Sequence, residues 1–212
     1  MKYLVLLFSL LAISAQAGFS MLKNGLLIDQ STNKPYTGVL ESYNEDWDNH
    51  QVEFAQDYVN GVKHGNEKGY YQSGRLKSVG KFIEGEVEGT TEIYYEDGTL
   101  RARVDIKNSL NEGRAVSYHL NGYKSSEQFY FRGKLQGLAR TWYEGGTLKT
   151  SVYYSNGMKN GEFTSYHENG SIFEEIKYDH DMPKFKRVYA EDGSLIDETG
   201  FFDKKVIDQI LG

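Results

Sequence analysis

The chain has 212 residues, a formal net charge of −6 and no cysteine, and 39% of its residues are hydrophobic. Without cysteine it can have neither a disulfide framework nor a thiol nucleophile. The acidic balance disfavours nucleic acid and anionic membrane surfaces as partners, because negatively charged phosphate groups are repelled. With 23 glycines, 17 tyrosines and only 2 prolines, the composition is typical of many short strands joined by glycine turns.

Residues 1–17 have the pattern of a cleaved secretory signal peptide. Lys2 supplies a positive charge, residues 3–13 form an apolar run, and Ala15-Gln16-Ala17 is a small-x-small cleavage site. The apolar run is shorter than the roughly 20 residues of a membrane-spanning helix. We therefore expect an exported protein, periplasmic or secreted, whose mature chain begins at Gly18.

Residues 18–57 look like a weakened version of the pattern that follows them. They contain Pro35-Tyr36-Thr37-Gly38 and a polar stretch over 43–50. We expect an N-terminal cap and one degenerate repeat in this region.

Residues 58–180 repeat with a period of 24, which predicts five units of a repeat array. Three positions show the period best, and each is occupied five times. They are the aromatic position Tyr70, Tyr94, Tyr118, Trp142 and Tyr166, and the glycine positions Gly65, Gly89, Gly113, Gly137, Gly161 and Gly74, Gly98, Gly122, Gly146, Gly170.

Each unit contains two turn signals, and the segments between them have the length of strands. The dipeptide Asp97-Gly98 favours a two-residue type I′ hairpin, which would pair Tyr95 with Leu100, Ile93 with Ala102 and Thr91 with Val104. The second signal is a pair of glycines four residues apart, as in Gly85 and Gly89. The sequence therefore predicts an all-β fold, an elongated antiparallel sheet of repeated β-hairpins with short end caps.

Residues 181–212 show the decay of the pattern, because Asp181 and Phe185 stand where glycines are expected. We expect a degenerate repeat and a C-terminal cap here, with a short closing helix over residues 204–211.

Three stretches resemble the bacterial variant of the MORN repeat (membrane occupation and recognition nexus). They are Tyr-Tyr-Glu-Asp-Gly-Thr-Leu (94–100), Trp-Tyr-Glu-Gly-Gly-Thr-Leu (142–148) and Asn-Gly-Met-Lys-Asn-Gly (156–161). The arrangement over residues 36–200 resembles the YwqK-type toxin–antitoxin antitoxins. The resemblance implies a hairpin-repeat sheet that binds a partner, in the antitoxin case a cognate toxin, and it supplies no catalytic residues. Combined with a signal peptide, it implies a periplasmic immunity protein.

The predicted pairing places a drier set of side chains on one face and the aromatic row on the other. The row either packs across strands over the glycines or anchors a partner with a polar rim around it. The candidate partner-binding residues are Tyr70, Tyr94, Tyr118, Trp142, Tyr166, Arg101, Arg103, Arg140 and Lys149.

Catalysis and metal binding find little support in the sequence. His119 and His167 occupy the position of Tyr71, Tyr95 and Tyr143 in other units, which predicts that they substitute for these aromatic side chains in packing. His64 stands in a polar loop position. We found no nucleophile motif and no convergent carboxylates, so we expect no enzyme, no metal site and no cofactor.

The function predicted from the sequence is therefore binding. The first hypothesis is an exported, antitoxin-like or immunity protein that binds a protein partner, such as a basic toxin or effector. The alternative is an envelope carbohydrate- or peptidoglycan-binding repeat protein. Membrane binding is disfavoured because no basic amphipathic segment is present, and the sequence leaves the oligomeric state open.

Overall fold

The structure, a computed structural model, describes residues 19–21, 24–47 and 51–200, and of residues 19–21 only the backbone. The predicted signal peptide (1–17) and the predicted closing helix (204–211) lie outside the described residues. The described elements are all strands. The first ten are β1 Phe19–Met21, β2 Leu27–Asp29, β3 Lys34–Pro35, β4 Gly38–Tyr43, β5 Val52–Val59, β6 Val62–Tyr70, β7 Leu76–Ile83, β8 Glu86–Val87, β9 Gly89–Tyr94 and β10 Leu100–Lys107. The remaining nine are β11 Leu110–Tyr118, β12 Lys124–Phe131, β13 Lys134–Leu135, β14 Gly137–Trp142, β15 Leu148–Ser155, β16 Met158–Tyr166, β17 Ile172–Asp179, β18 Met182–Tyr189 and β19 Leu195–Gly200.

One sheet of 16 antiparallel strands contains everything described from β4 onward. Its strands follow one another in chain order from β4 to β19, and the short strands β8 and β13 pair beside β7 and β12. The predicted all-β fold of consecutive antiparallel hairpins is thus confirmed. Strands β1 to β3 form a separate small sheet, which is joined to the hairpin of β5 and β6 by hydrogen bonds such as that from Leu27 N–H to Gly61 O (2.8 Å).

Type I′ turns occur at the second turn signal rather than at the first. Asn60 and Gly61, for example, both have positive φ angles (49° and 79°), and they connect the paired residues Val59 and Val62. The same two-residue geometry recurs at 84–85, 108–109, 132–133, 156–157 and 180–181. Ser109 and Asp181 therefore adopt the left-handed conformation that glycine adopts at this position in the other units.

The predicted type I′ turn at Asp97-Gly98 is wrong. Within this dipeptide only Gly98 has a positive φ (93°); its N–H donates to Tyr95 O (2.9 Å), while Tyr95 N–H donates to Thr99 O (2.8 Å). The loop is therefore a three-residue connection that ends in a left-handed glycine. The Asp97 carboxylate accepts the Thr99 N–H (2.8 Å) instead of sitting at a positive φ.

The predicted strand register holds for most of this hairpin. Ile93 pairs with Ala102 and Thr91 with Val104, as predicted, but Leu100 pairs with Tyr94 and not with Tyr95. A register shift between Leu100 and Ala102 causes this difference, and it restores the predicted pairing in the rest of the hairpin.

The two faces of the large sheet differ strongly in burial. In β10, Ala102, Val104 and Ile106 are only 2%, 2% and 7% exposed, whereas Arg103 and Lys107 are exposed. We call the face of Ala102, Val104 and Ile106 the inner face and that of Arg103 and Lys107 the outer face. The core lies on the inner face in two clusters, Phe82, Val87, Val104 and Ile106 and Ala139, Val152 and Tyr154.

Candidate functional site

The predicted aromatic row runs across the sheet at one end of its strands. Each of its five residues is the last residue of its strand, next to a three-residue turn, and all five are half-buried. These residues are Tyr70, Tyr94, Tyr118, Trp142 and Tyr166.

Two members of the predicted site, Tyr94 and Arg103, are engaged with Glu92 on the outer face. Tyr94 Oη donates to Glu92 Oε2 (2.6 Å), and Arg103 Nε donates to Glu92 Oε1 (3.0 Å). The hydrogen bonds from Tyr94 and from Arg103 hold the pKa of Glu92 below its ordinary value. The hydrogen bond to the same carboxylate raises the pKa of Tyr94. This cation of the predicted rim is therefore already paired within the chain.

The other predicted cations have different neighbours from those expected. The guanidinium of Arg101 lies 5.6 Å from the Tyr95 ring centre, and Lys149 Nζ lies 4.9 Å from that of Tyr143. Arg101 and Lys149 therefore lie against the residues that follow Tyr94 and Trp142 in the sequence, and not against the row itself. Arg140 is exposed on the outer face, directly across from Glu127.

Sequence reasoning missed the cation that does contact the row. Lys124 Nζ lies 5.6 Å from the Trp142 ring centre and also bonds Glu127 Oε1 (3.3 Å). Arg114 donates to the same carboxylate oxygen through its Nε (2.8 Å). Lys124 pairs with Tyr118 after a register shift between β11 and β12. Simple alternation of side chains along the strands therefore does not predict its position.

The residue that follows each row member forms a side-chain hydrogen bond to a backbone carbonyl of the next unit, and we call each such bond a rung. Tyr95 Oη, for example, donates to the Tyr118 carbonyl (2.8 Å). His119 and His167 take the same position and reach the carbonyls of Trp142 (2.9 Å) and Tyr189 (3.2 Å) through Nε2. The prediction that these histidines replace tyrosines is confirmed, and the carbonyl partners require a proton on Nε2.

A second set of side chains joins the units at the opposite ends of the strands. His64 Nδ1 accepts the Glu84 N–H (3.4 Å), and Gln136 Oε1 accepts the Asn156 N–H (2.9 Å). In each case the N–H belongs to the first residue of the next type I′ turn. His64 lies within β6 and not in a loop, so that prediction is wrong; its polar side chain caps the neighbouring turn.

A groove of about 680 Å³ runs along the inner face of β9 to β16, a feature that sequence reasoning missed. Because its lining comes from consecutive strands of one sheet, this face is concave. Its lining combines small or apolar side chains with hydroxyl groups and tyrosines. The lining includes Ala102, Val104, Ala115, Ala139 and Val152, the hydroxyl residues Ser117, Ser126, Thr141 and Thr150, and the aromatic residues Tyr95, Tyr130 and Tyr154.

The charge of the groove is opposite to that of the chain. Arg101 and Lys159 are among the described residues that line it, and aspartate and glutamate are not. The chain as a whole has a net charge of −6. The groove therefore favours a ligand that is neutral or negatively charged where it touches the lining.

Residues 19–21, 24–47 and 51–200 contain no cluster of three or more His, Asp or Glu side chains that could hold a metal ion. In the same ranges, no helix has the length and apolar character needed to cross a membrane.

Comparison with known sequence families gives matches to the MORN repeat variant at residues 63–84, 87–108, 135–156 and 159–180. These four segments are similar to the MORN repeat variant. The matched segments keep the 24-residue period, and residues 111–132 lie in register between the second and third of them. There the structure forms an equivalent hairpin, β11 and β12. No curated protein matches the chain.

Proposed function

We propose that this MORN-repeat protein is an exported, non-enzymatic binding protein that holds a protein partner in its concave groove. MORN repeats are generally associated with binding. The observation that carries the proposal is the groove itself, which crosses several repeat units and is lined by cations without carboxylates. Concave surfaces that combine an apolar floor with a few polar groups are the usual form of binding sites.

The chain favours one charge on the partner during its approach and another at the point of contact. The net charge of −6 attracts a basic protein over long range and speeds the encounter. At contact, Arg101 and Lys159 favour a segment with few lysines or arginines. The proposed partner is thus a basic protein that inserts a neutral or acidic segment, and an exported toxin neutralised by an antitoxin-like or immunity protein would fit this description.

Export is part of the proposal and depends on the sequence of residues 1–17. The positive Lys2, the apolar run and Ala15-Gln16-Ala17 support a cleaved signal peptide. Periplasmic and secreted destinations agree equally with this pattern.

A matched pair of variants tests the groove. Thr150 lines the groove, and Ser151 follows it on the same strand with its side chain on the outer face, across from Arg140. Thr150→Trp adds bulk without charge inside the groove, and Ser151→Trp adds the same bulk outside. Thermal melting followed by circular dichroism checks that both variants fold.

The measurement is an affinity pull-down from the native organism with residues 18–212 as bait, followed by mass spectrometry. We expect one stoichiometric protein that is lost with Thr150→Trp and retained with Ser151→Trp. Retention of the same protein by Thr150→Trp would contradict the groove as its site.

A carbohydrate ligand is the second candidate, and the composition of the groove favours it. Tyr130 Oη donates to Gln128 Oε1 (2.8 Å), and Thr141 and Thr150 share a hydrogen bond (2.6 Å). All four line the groove, so rings, hydroxyl groups and an amide are available to a sugar. Retention of the wild-type protein on peptidoglycan or wall polysaccharide, and loss of this retention with Thr150→Trp, would favour this candidate over a protein partner.

A further inference from the structure

Three large aromatic side chains are exposed together on the outer face of β12 and β15, opposite the groove. Phe129, Phe131 and Tyr153 are 41%, 54% and 45% exposed. They alternate along their strands with Gln128, Tyr130, Val152 and Tyr154, which line the groove, so they point away from it. We call these three residues the outer aromatic patch.

The repeats themselves show that the fold does not need aromatic residues there. The positions one, two or three periods from Phe129 and Tyr153 are Asp57, Lys81, Asp105 and Lys177. These four lie on β5, β7, β10 and β17, the equivalent strands of other hairpins. Four units therefore form the same strand with a charged side chain at this position.

The aromatic residues also forgo a hydrogen bond that two other units make. Asp57 Oδ2 accepts the Asn66 N–H (2.7 Å), and Asp105 Oδ2 accepts the Arg114 N–H (3.2 Å). A phenylalanine or tyrosine side chain has no acceptor atom close enough to the backbone to accept this N–H. Exposed aromatic side chains that replace a stabilising polar contact are typical of an interaction surface.

Cations surround the patch. The guanidinium of Arg132 lies 5.2 Å from the Phe131 ring centre, and Lys134 is the Cα partner of Phe131. Arg140 lies two residues from Leu138, which pairs with Tyr153. Among the carboxylates close by, Glu112 accepts the Arg132 N–H, Glu127 is bonded to Arg114 and Lys124, and Glu162 lies on the next strand. The balance at the patch is positive, in contrast to the net charge of the chain.

We propose that the outer aromatic patch docks a protein segment that presents apolar side chains next to carboxylates. Charge complementarity selects this occupant. Two copies of the patch placed face to face would instead bring Arg132 and Lys134 of each copy against like charges. Because the patch and the groove lie on opposite faces, a MORN array of this kind can hold two different segments at once.

The test uses a random-peptide display library selected on the immobilised wild-type protein. The double variant Phe129→Asp/Tyr153→Lys gives these two units the residues found at the same position in other units, so it should fold. The control is Leu120→Asn, which removes an apolar side chain that is 61% exposed and lies off the patch. Melting temperatures of all variants are compared with that of the wild type.

We expect the selected peptides to combine Leu or Phe with Asp or Glu within a few residues. Their affinity should fall about tenfold or more with the double variant and stay unchanged with Leu120→Asn. Lys134→Glu/Arg140→Glu should weaken binding to a similar extent, because it reverses the charge around the patch. Groove variants such as Thr150→Trp should leave this binding intact, which separates the patch from the proposed function.

Several results would overturn the proposal. These are peptides that bind the double variant as well as the wild type, a selection without acidic residues, and a selection that enriches nothing. Concentration-dependent association of the wild-type protein that disappears in the double variant would assign the patch to a second copy of the chain. Flotation with anionic phospholipid vesicles that depends on Phe129 and Tyr153 would assign it to a membrane.

Discussion

The inner and outer faces of the large sheet come from alternating residues of the same strands, but different forces stabilise them. On the inner face, Val104 and Ile106 are almost completely buried within a cluster of apolar side chains. On the outer face, Arg103 and Glu92 form an ion pair that remains in contact with solvent. A sheet without a second layer can thus still form a core where one of its faces is concave.

Neighbouring residues with opposite orientation provide the strongest test of this difference. Ile106→Ala should lower the free energy of unfolding by about 2–4 kcal/mol, because it leaves a cavity in the inner cluster. Lys107→Ala, one residue further on the outer face, should change it by less than about 0.5 kcal/mol. Urea denaturation measures both. Equal losses would mean that the outer face contributes as much packing as the inner face.

Two adjacent tyrosines allow the contributions of single hydroxyl groups to stability to be compared. Tyr95 Oη donates to the Tyr118 carbonyl of the next unit, whereas Tyr94 Oη donates to the outer-face carboxylate of Glu92. Tyr95→Phe should cost about 1 kcal/mol, because a half-buried carbonyl loses its side-chain donor. Tyr94→Phe should cost less, since water can replace its hydroxyl group. Thermal melting of the two variants gives the order, and the reverse order would contradict this account of the rungs.

The smallest expected effect concerns pH. Because the pKa of Glu92 is lowered in the folded protein, its ionised form stabilises the fold above the ordinary pKa of a glutamate. That stabilisation disappears as the pH falls through the lowered pKa. Glu92→Gln should therefore reduce the melting temperature by less than about 3 °C at pH 7.

The difference between Glu92→Gln and the wild type should vanish once the pH falls below the lowered pKa of Glu92, because the carboxyl group is then protonated. It should also shrink in high salt, which screens the exposed ion pair. A difference that persists at acid pH would show that Glu92 contributes through packing rather than through its charge.

Much of the fold could be predicted from the sequence because strand pairing follows the period of the repeat. The pairs Ile93–Ala102 and Thr91–Val104 were correct, and so was the replacement of tyrosine by His119 and His167. The turn type at Asp97-Gly98 was wrong because an Asp-Gly dipeptide fits two loop lengths. The φ angles of the dipeptide and the hydrogen bond between Tyr95 and Thr99 distinguish them.

The candidate site was predicted less well, for a physical reason. Side-chain alternation tells which residues share a face, but it does not tell whether that face is concave. The groove gathers Ala102, Ser126 and Thr150 from separate strands, and its curvature arises from the whole sheet. Local register shifts likewise placed Lys124 beside Trp142, and placed Arg101 and Lys149 beside Tyr95 and Tyr143.

The rungs from Tyr71, Tyr95 and Tyr143 to the next unit have a consequence for how such a protein can change in size. Each rung makes the same contact one unit further along. Duplication of a 24-residue segment would therefore insert two strands whose borders fit the units on either side. The array would grow by about 9.6 Å for each such insertion. The length of the surface offered to a ligand can thus be adjusted in steps, while the chemistry of each step is inherited unchanged.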